Sequence, residues 1–79
     1  MFGKIIKVDR NQRFGLVKDL NENVYYIKGD QVISNDLKPG YVVDFQVFYS
    51  KRKDRVFAVK INVVDATGFH YSHRHTAKK

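Results

Sequence analysis

The chain has 79 residues, 43% of them hydrophobic and 29% charged, which suits one small globular domain. It contains no cysteine, which excludes disulfide frameworks and thiolate metal sites, and its apolar runs are too short for a transmembrane span or a secretory leader. A formal charge of +7 favours polyanionic partners, nucleic acid ahead of an anionic membrane surface, and the cytoplasm is the expected compartment.

Phe2 to Val8 is rich in β-formers and carries no helical stripe, so a strand is expected over 2–9. Ile5 followed directly by Ile6 breaks strict alternation and predicts a bulge. Asp9-Arg10-Asn11-Gln12 has turn composition. Two further β-rich runs follow, Gln12 to Val17 and Val24 to Ile27, separated by the polar Lys18-Asp19-Leu20-Asn21-Glu22-Asn23. They read as a hairpin, with strands at 13–19 and 23–28, so the first three strands form a meander. Alternation leaves two arrangements open. If Val17, Val24 and Tyr26 face the core, then Phe14, Leu16, Tyr25 and Ile27 form an apolar, partly aromatic surface bordered by Lys7, Arg13 and Lys28. In the other arrangement Phe14 and Leu16 are core and the exposed face is polar.

Gly29-Asp30 stops the third strand. A short turn or single helical turn is expected next, with Val32, Ile33 and Leu37 plugging the barrel, before the strong turn signal Lys38-Pro39-Gly40. Tyr41 to Tyr49 alternates, with Val43, Phe45 and Val47 on one side. Ser50 to Arg55 is a basic loop with four cations and one acid. The last strand, Val56 to Val63, sets Phe57, Val59 and Ile61 against Ala58 and Lys60. Five short strands with turn signals between them and no convincing helix predict an all-β fold, a small five-stranded antiparallel barrel over residues 1–65. Residues 66–79 read as a basic tail that should be mobile.

Gly3-Lys4-Ile5, Arg13-Phe14-Gly15-Leu16-Val17, Val24-Tyr25-Tyr26-Ile27, Leu37-Lys38-Pro39-Gly40 and Val43-Asp44-Phe45 occur in an order that resembles a cold-shock domain. The resemblance covers about residues 2–64 and implies an OB-type barrel that binds single-stranded RNA or DNA, in several members as an RNA chaperone. The family's Lys-Gly-Phe-Gly-Phe-Ile motif falls on Gln12 to Val17, and its Val-Phe-Val-His-Phe motif on Val24 to Lys28. The chain departs from both: Arg13 replaces a glycine, Leu16 a ring, Ile27 a histidine and Lys28 a phenylalanine. Lys7 stands where the family has an exposed tryptophan, and Ser34-Asn35-Asp36 supplies no ring. These changes remove stacking platforms and add charge on the same face.

The resemblance implies that Phe14 and Tyr25 stack on bases, with Leu16 and Ile27 completing the platform. Lys7, Arg13, Lys28 and the loop cations Lys51, Arg52, Lys53 and Arg55 would neutralise phosphates, since OB-folds use the loop between strands four and five to grip ligand. An alternative is a protein-interaction module that reuses the same face for a protein partner or a second copy. A monomer is expected, with a dimer left open. No nucleophile–base arrangement, phosphate-cradling loop or paired carboxylates point to an enzyme. No cofactor is expected. His70, His73 and His75 lack the cysteines and ordered surroundings of a metal site, so no metal is expected either.

Overall fold

The computed structural model describes residues 1–66, so the histidine-containing tail lies outside the described residues. Five strands, β1 (Phe2–Asp9), β2 (Phe14–Asp19), β3 (Val24–Lys28), β4 (Val42–Ser50) and β5 (Arg55–Asp65), are joined by turns and one helical segment, α1 (Gly29–Ser34). They close a barrel in the order β1-β2-β3-β5-β4, and β4 returns to β1. Every ladder is antiparallel except the seam between β3 and β5, which is parallel through Tyr26 and Phe57. Alternate strands in such a chain share a direction, so laying β3 beside β5 makes a parallel pair. The fold is all-β and OB-like. No helix among the described residues is long and apolar enough to cross a membrane.

The core is Ile5, Val17, Ile27, Val32, Leu37, Val43, Phe45, Ala58 and Ile61, with Val8, Tyr25, Tyr41 and Val63 packed against it. The adjacent isoleucines of β1 resolve as the alternation requires. The register against β2 shifts between Ile5 and Lys7, leaving Ile5 buried and Ile6 exposed. α1 plugs one end of the barrel with Val32, and Leu37 follows it inward. Ile33, expected as a third plug, is 42% exposed, because neighbours on a short helical turn cannot both point into so narrow an opening. Gly40 adopts φ 96°, which a side chain would resist, and its N–H donates to the Ile5 carbonyl, tying the turn to β1.

Two further expectations are corrected. On β5, Ala58 and Ile61 both face the core, whereas strict alternation would have grouped Ile61 with Phe57 and Val59. The cause is a bulge: Lys60 takes φ 53° and the register with β4 shifts between Asp44 and Gln46. On β4, Val43 and Phe45 are buried but Val47 is 41% exposed. β1 pairs only with Val42 to Asp44, so beyond Phe45 the strand pairs with β5 alone and no longer walls the core.

The β2–β3 turn is organised by Asp19. Its carboxylate accepts from the backbone N–H of Asn21 and Asn23 (2.8 and 2.9 Å), from the Asn23 side chain and from the Tyr25 hydroxyl (2.9 Å). Desolvation pushes the carboxyl pKa up, but these hydrogen bonds outweigh it and hold the group below its ordinary value. A depressed folded-state pKa contributes stability that is present above the unfolded value and is lost as pH falls through the folded one. Asp19→Ala should therefore lower the melting temperature at neutral pH. The gap from wild type should close as acid titrates the wild-type carboxylate, measured by circular dichroism melts across a pH series. A second expectation concerns Ile27, which is 1% exposed. Ile27→Ala should cost about 2–5 kcal/mol in urea unfolding, comparable with the whole stability of so small a core.

Candidate nucleic-acid interface

Directly opposed residues in neighbouring strands point to the same face of a sheet. On the β2–β3 hairpin Val17 opposes Tyr25 and Gly15 opposes Ile27, and these residues face inward. Leu16 opposes Tyr26 and Phe14 opposes Lys28, and these face out. Phe14 and Leu16 are thus half-buried on the outer surface of β2, while β3 is inverted relative to the first arrangement read from alternation. Tyr25 packs its ring on Phe45 at 5.6 Å and spends its hydroxyl on Asp19, and Ile27 is core. Neither is a surface platform. Tyr26 takes that place.

The outer rings form a connected group. Phe14 and Tyr26 lie 6.2 Å apart between centroids, tilted by 41°, and Tyr26 meets Phe57 edge-on at 6.5 Å. Each ring has a cation beside its face: Lys7 Nζ at 5.6 Å from the Phe14 centroid, Lys28 Nζ at 5.4 Å from Phe57, and the Arg55 guanidinium carbon at 4.0 Å from Tyr26. The three rings, Lys28 and Arg55 line an open groove of about 360 Å³, to which Arg13 and Lys53 add two more positive charges and no carboxylate contributes. Among the described residues none of Arg13, Lys28, Lys53 and Arg55 is ion-paired. The paired charges lie elsewhere, in Arg10–Asp36–Lys38, Lys18–Glu22 and the amino terminus with Asp44.

Of the residues expected at the site, the structure gathers Arg13, Phe14, Lys28, Lys53 and Arg55 around this groove, with Lys7 over the Phe14 ring and Leu16 beside Tyr26. Lys51 and Arg52 are exposed in the β4–β5 turn and do not line it. Tyr26 and Phe57 were missed. The signal for Tyr26 was the length of the hairpin turn: with five residues between Lys18 and Val24, an even-numbered residue on β2 opposes an even-numbered one on β3. The Tyr49 hydroxyl, hydrogen-bonded to Asp54 at 2.8 Å and raised in pKa by that bond, steadies the β4–β5 turn that carries the loop cations. Among the described residues no group of three or more His, Cys, Asp or Glu is placed to hold a metal ion.

Arg13 sits at φ 60°, a left-handed conformation unfavourable to a side chain. Gly29 makes room for it: an added Cβ there would lie 2.6 Å from the Arg13 Cβ and 2.7 Å from its carbonyl oxygen. A guanidinium at the groove mouth is thus held against local strain. Arg13→Gly should raise stability by about 1 kcal/mol in urea unfolding; an unchanged or lower midpoint would contradict the strain. Comparison with protein-family models, with curated proteins and with solved structures gives no match for this chain.

Proposed function

We propose that the chain binds single-stranded nucleic acid through the outer face of β2, β3 and β5, as a divergent cold-shock-like barrel, and performs no chemistry. The observation that carries this reading is the joining of three rings and four unpaired cations in one open groove without a carboxylate. Rings offer surfaces on which any base can stack, and cations neutralise the phosphates between them. A duplex hides its base faces, so single strands should be preferred. Stacking is tolerant of base identity, so sequence preference should be modest, and nothing in the groove selects RNA over DNA. Trapping of unpaired strands would melt weak RNA hairpins, the chaperone activity that the resemblance implies.

Part of the sequence-based site is revised in this reading. Tyr26 replaces Tyr25 and Ile27 in the platform, and Phe57 supports it from beneath the Lys28 ammonium. Lys53 and Arg55 carry the loop's share of phosphate binding ahead of Lys51 and Arg52.

Fluorescence-anisotropy titration with labelled oligopyrimidine and oligopurine strands, beside a duplex of the same length, tests it. Wild type should bind single strands with micromolar or better affinity and the duplex more weakly. Phe14→Ala should lose about tenfold, within the range of about 1–3 kcal/mol per stacked base. If Arg13, Lys28, Lys53 and Arg55 each meet a phosphate, the log–log salt slope should be about −3, and Lys53→Ala with Arg55→Ala should flatten it by about 1.4. Binding indifferent to strandedness and to Phe14→Ala would reduce the interface to charge alone. No binding at low salt would overturn the proposal.

A further inference from the structure

The ladder registers place one continuous row of side chains across the barrel. Lys7 opposes Leu16, Leu16 opposes Tyr26, Tyr26 opposes Phe57, and Phe57 opposes Phe48 on β4. Opposed residues share a face, so the row carries this outer face past the groove's lining at Phe57 onto Phe48 of β4. The row is not uniform. Phe57 is only 5% exposed and Tyr26 has the Arg55 guanidinium 4.0 Å from its ring centroid, so the centre of the row is a buried ring and a cation-covered one. Open ring surface lies to either side of that centre: Phe14, half-buried on β2 two residues from the row's Leu16, and Phe48, 55% exposed on β4.

Phe48 has no part in the core. It lies beyond the stretch of β4 that β1 pairs with, and its neighbour Tyr49 is 52% exposed with its hydroxyl held by Asp54. A phenylalanine in that position stabilises the fold little, yet it stands in register with the groove. Resting on the function proposed above, we infer that Phe48 is a second base-stacking station for the same single strand, separated from Phe14 by the cationic strip of Lys28 and Arg55. Three strand intervals, about 14 Å, and a two-residue offset along β2, about 7 Å, set the two stations about 16 Å apart. At about 3.4 Å per stacked nucleotide that is about five nucleotides, fewer where the strand is extended, so a strand of two nucleotides is too short to engage both rings. The bases at the ends are gripped and the phosphates between them cross the cations.

The occupant follows from charge and continuity. The row is open at Phe48, flanked by the Lys28 and Arg55 cations and continuous in register with the ring-and-cation groove, which suits a polyanion with exposed base faces.

A length series tests the inference. Wild type, Phe48→Ala and Phe14→Ala, each checked for an unchanged circular dichroism spectrum, would be titrated with oligothymidylates from two to eight nucleotides at fixed salt. Wild-type affinity should rise steeply between about three and six nucleotides. Phe48→Ala should lose about tenfold on the octamer and show little of that rise, while its salt slope stays at the wild-type value, because a stacking surface and not a charge has been removed. If Phe48→Ala tracks wild type at every length while Phe14→Ala loses affinity, the second station is refuted and the groove reading stands. Equal losses for Phe48→Ala at two and at eight nucleotides would also refute it. Failure of wild type to bind any length would overturn both.

Discussion

The placement of Tyr26 and Lys28 on the outer face depends on the parity of one turn. Asp19 accepts hydrogen bonds from the N–H groups of Asn21 and Asn23 and from the Tyr25 hydroxyl, and so closes the β2–β3 hairpin with five residues between the paired Lys18 and Val24. With that loop Val17 meets Tyr25 inside the barrel and Leu16 meets Tyr26 outside it. A loop one residue longer or shorter would exchange the two tyrosines and drive Ile27 to the surface. The same carboxylate that stabilises the turn thus selects which ring faces solvent. It also holds Tyr25 inward by both ends, its hydroxyl on Asp19 and its ring on Phe45. The Tyr25 hydroxyl has its pKa raised, chiefly by that hydrogen bond, as expected when a phenol donates to an anion.

The barrel fills its central core with aliphatic residues and the Phe45 ring, buries Phe57 at its β3–β5 seam, and puts Phe14, Tyr26 and Phe48 where they cover little core. That allocation is costly for a domain of this size, because aromatic burial is the largest single contribution a side chain can make to folding. Arg13 repeats the pattern at the level of the backbone, with a left-handed φ accommodated by the missing side chain of Gly29. Arg13 is one of five left-handed non-glycine residues, with Glu22, Asp36, Asp54 and Lys60, and among the described residues no polar or charged residue is buried. The charges follow the same division. Acids pair or cap at the turns, at Asp19, Asp36 and Asp54, whereas the groove holds cations alone.

The strands, their order along the chain and the bulge at Ile5 and Ile6 were legible in the sequence, because alternation and turn chemistry are local signals. The outward face of β2 was left open by alternation and was favoured only by the cold-shock resemblance. The face of β3 was not legible. Val24-Tyr25-Tyr26-Ile27 presents one ring and one aliphatic residue on either side, so alternation is symmetric there and only the turn could decide. Aligning Tyr25 with a ring of the cold-shock motif repeated the same one-residue ambiguity. The bulge at Lys60 escaped for a different reason: a left-handed φ at a lysine carries no glycine to announce it. The basic loop was recognised as a unit, yet only its Lys53 and Arg55 end lines the groove.

The central claim is that Phe14 and Tyr26, and not Tyr25, are the rings that meet a ligand. The most direct measurement is an NMR titration with a short oligothymidylate that follows the aromatic ring protons. The account predicts shifts of the Phe14 and Tyr26 signals as bases stack beside them, with the Tyr25 ring unchanged between Asp19 and Phe45. Shifts at Tyr25 with Tyr26 silent would contradict the register-based assignment of the face, and shifts confined to residues outside the groove would contradict the site itself.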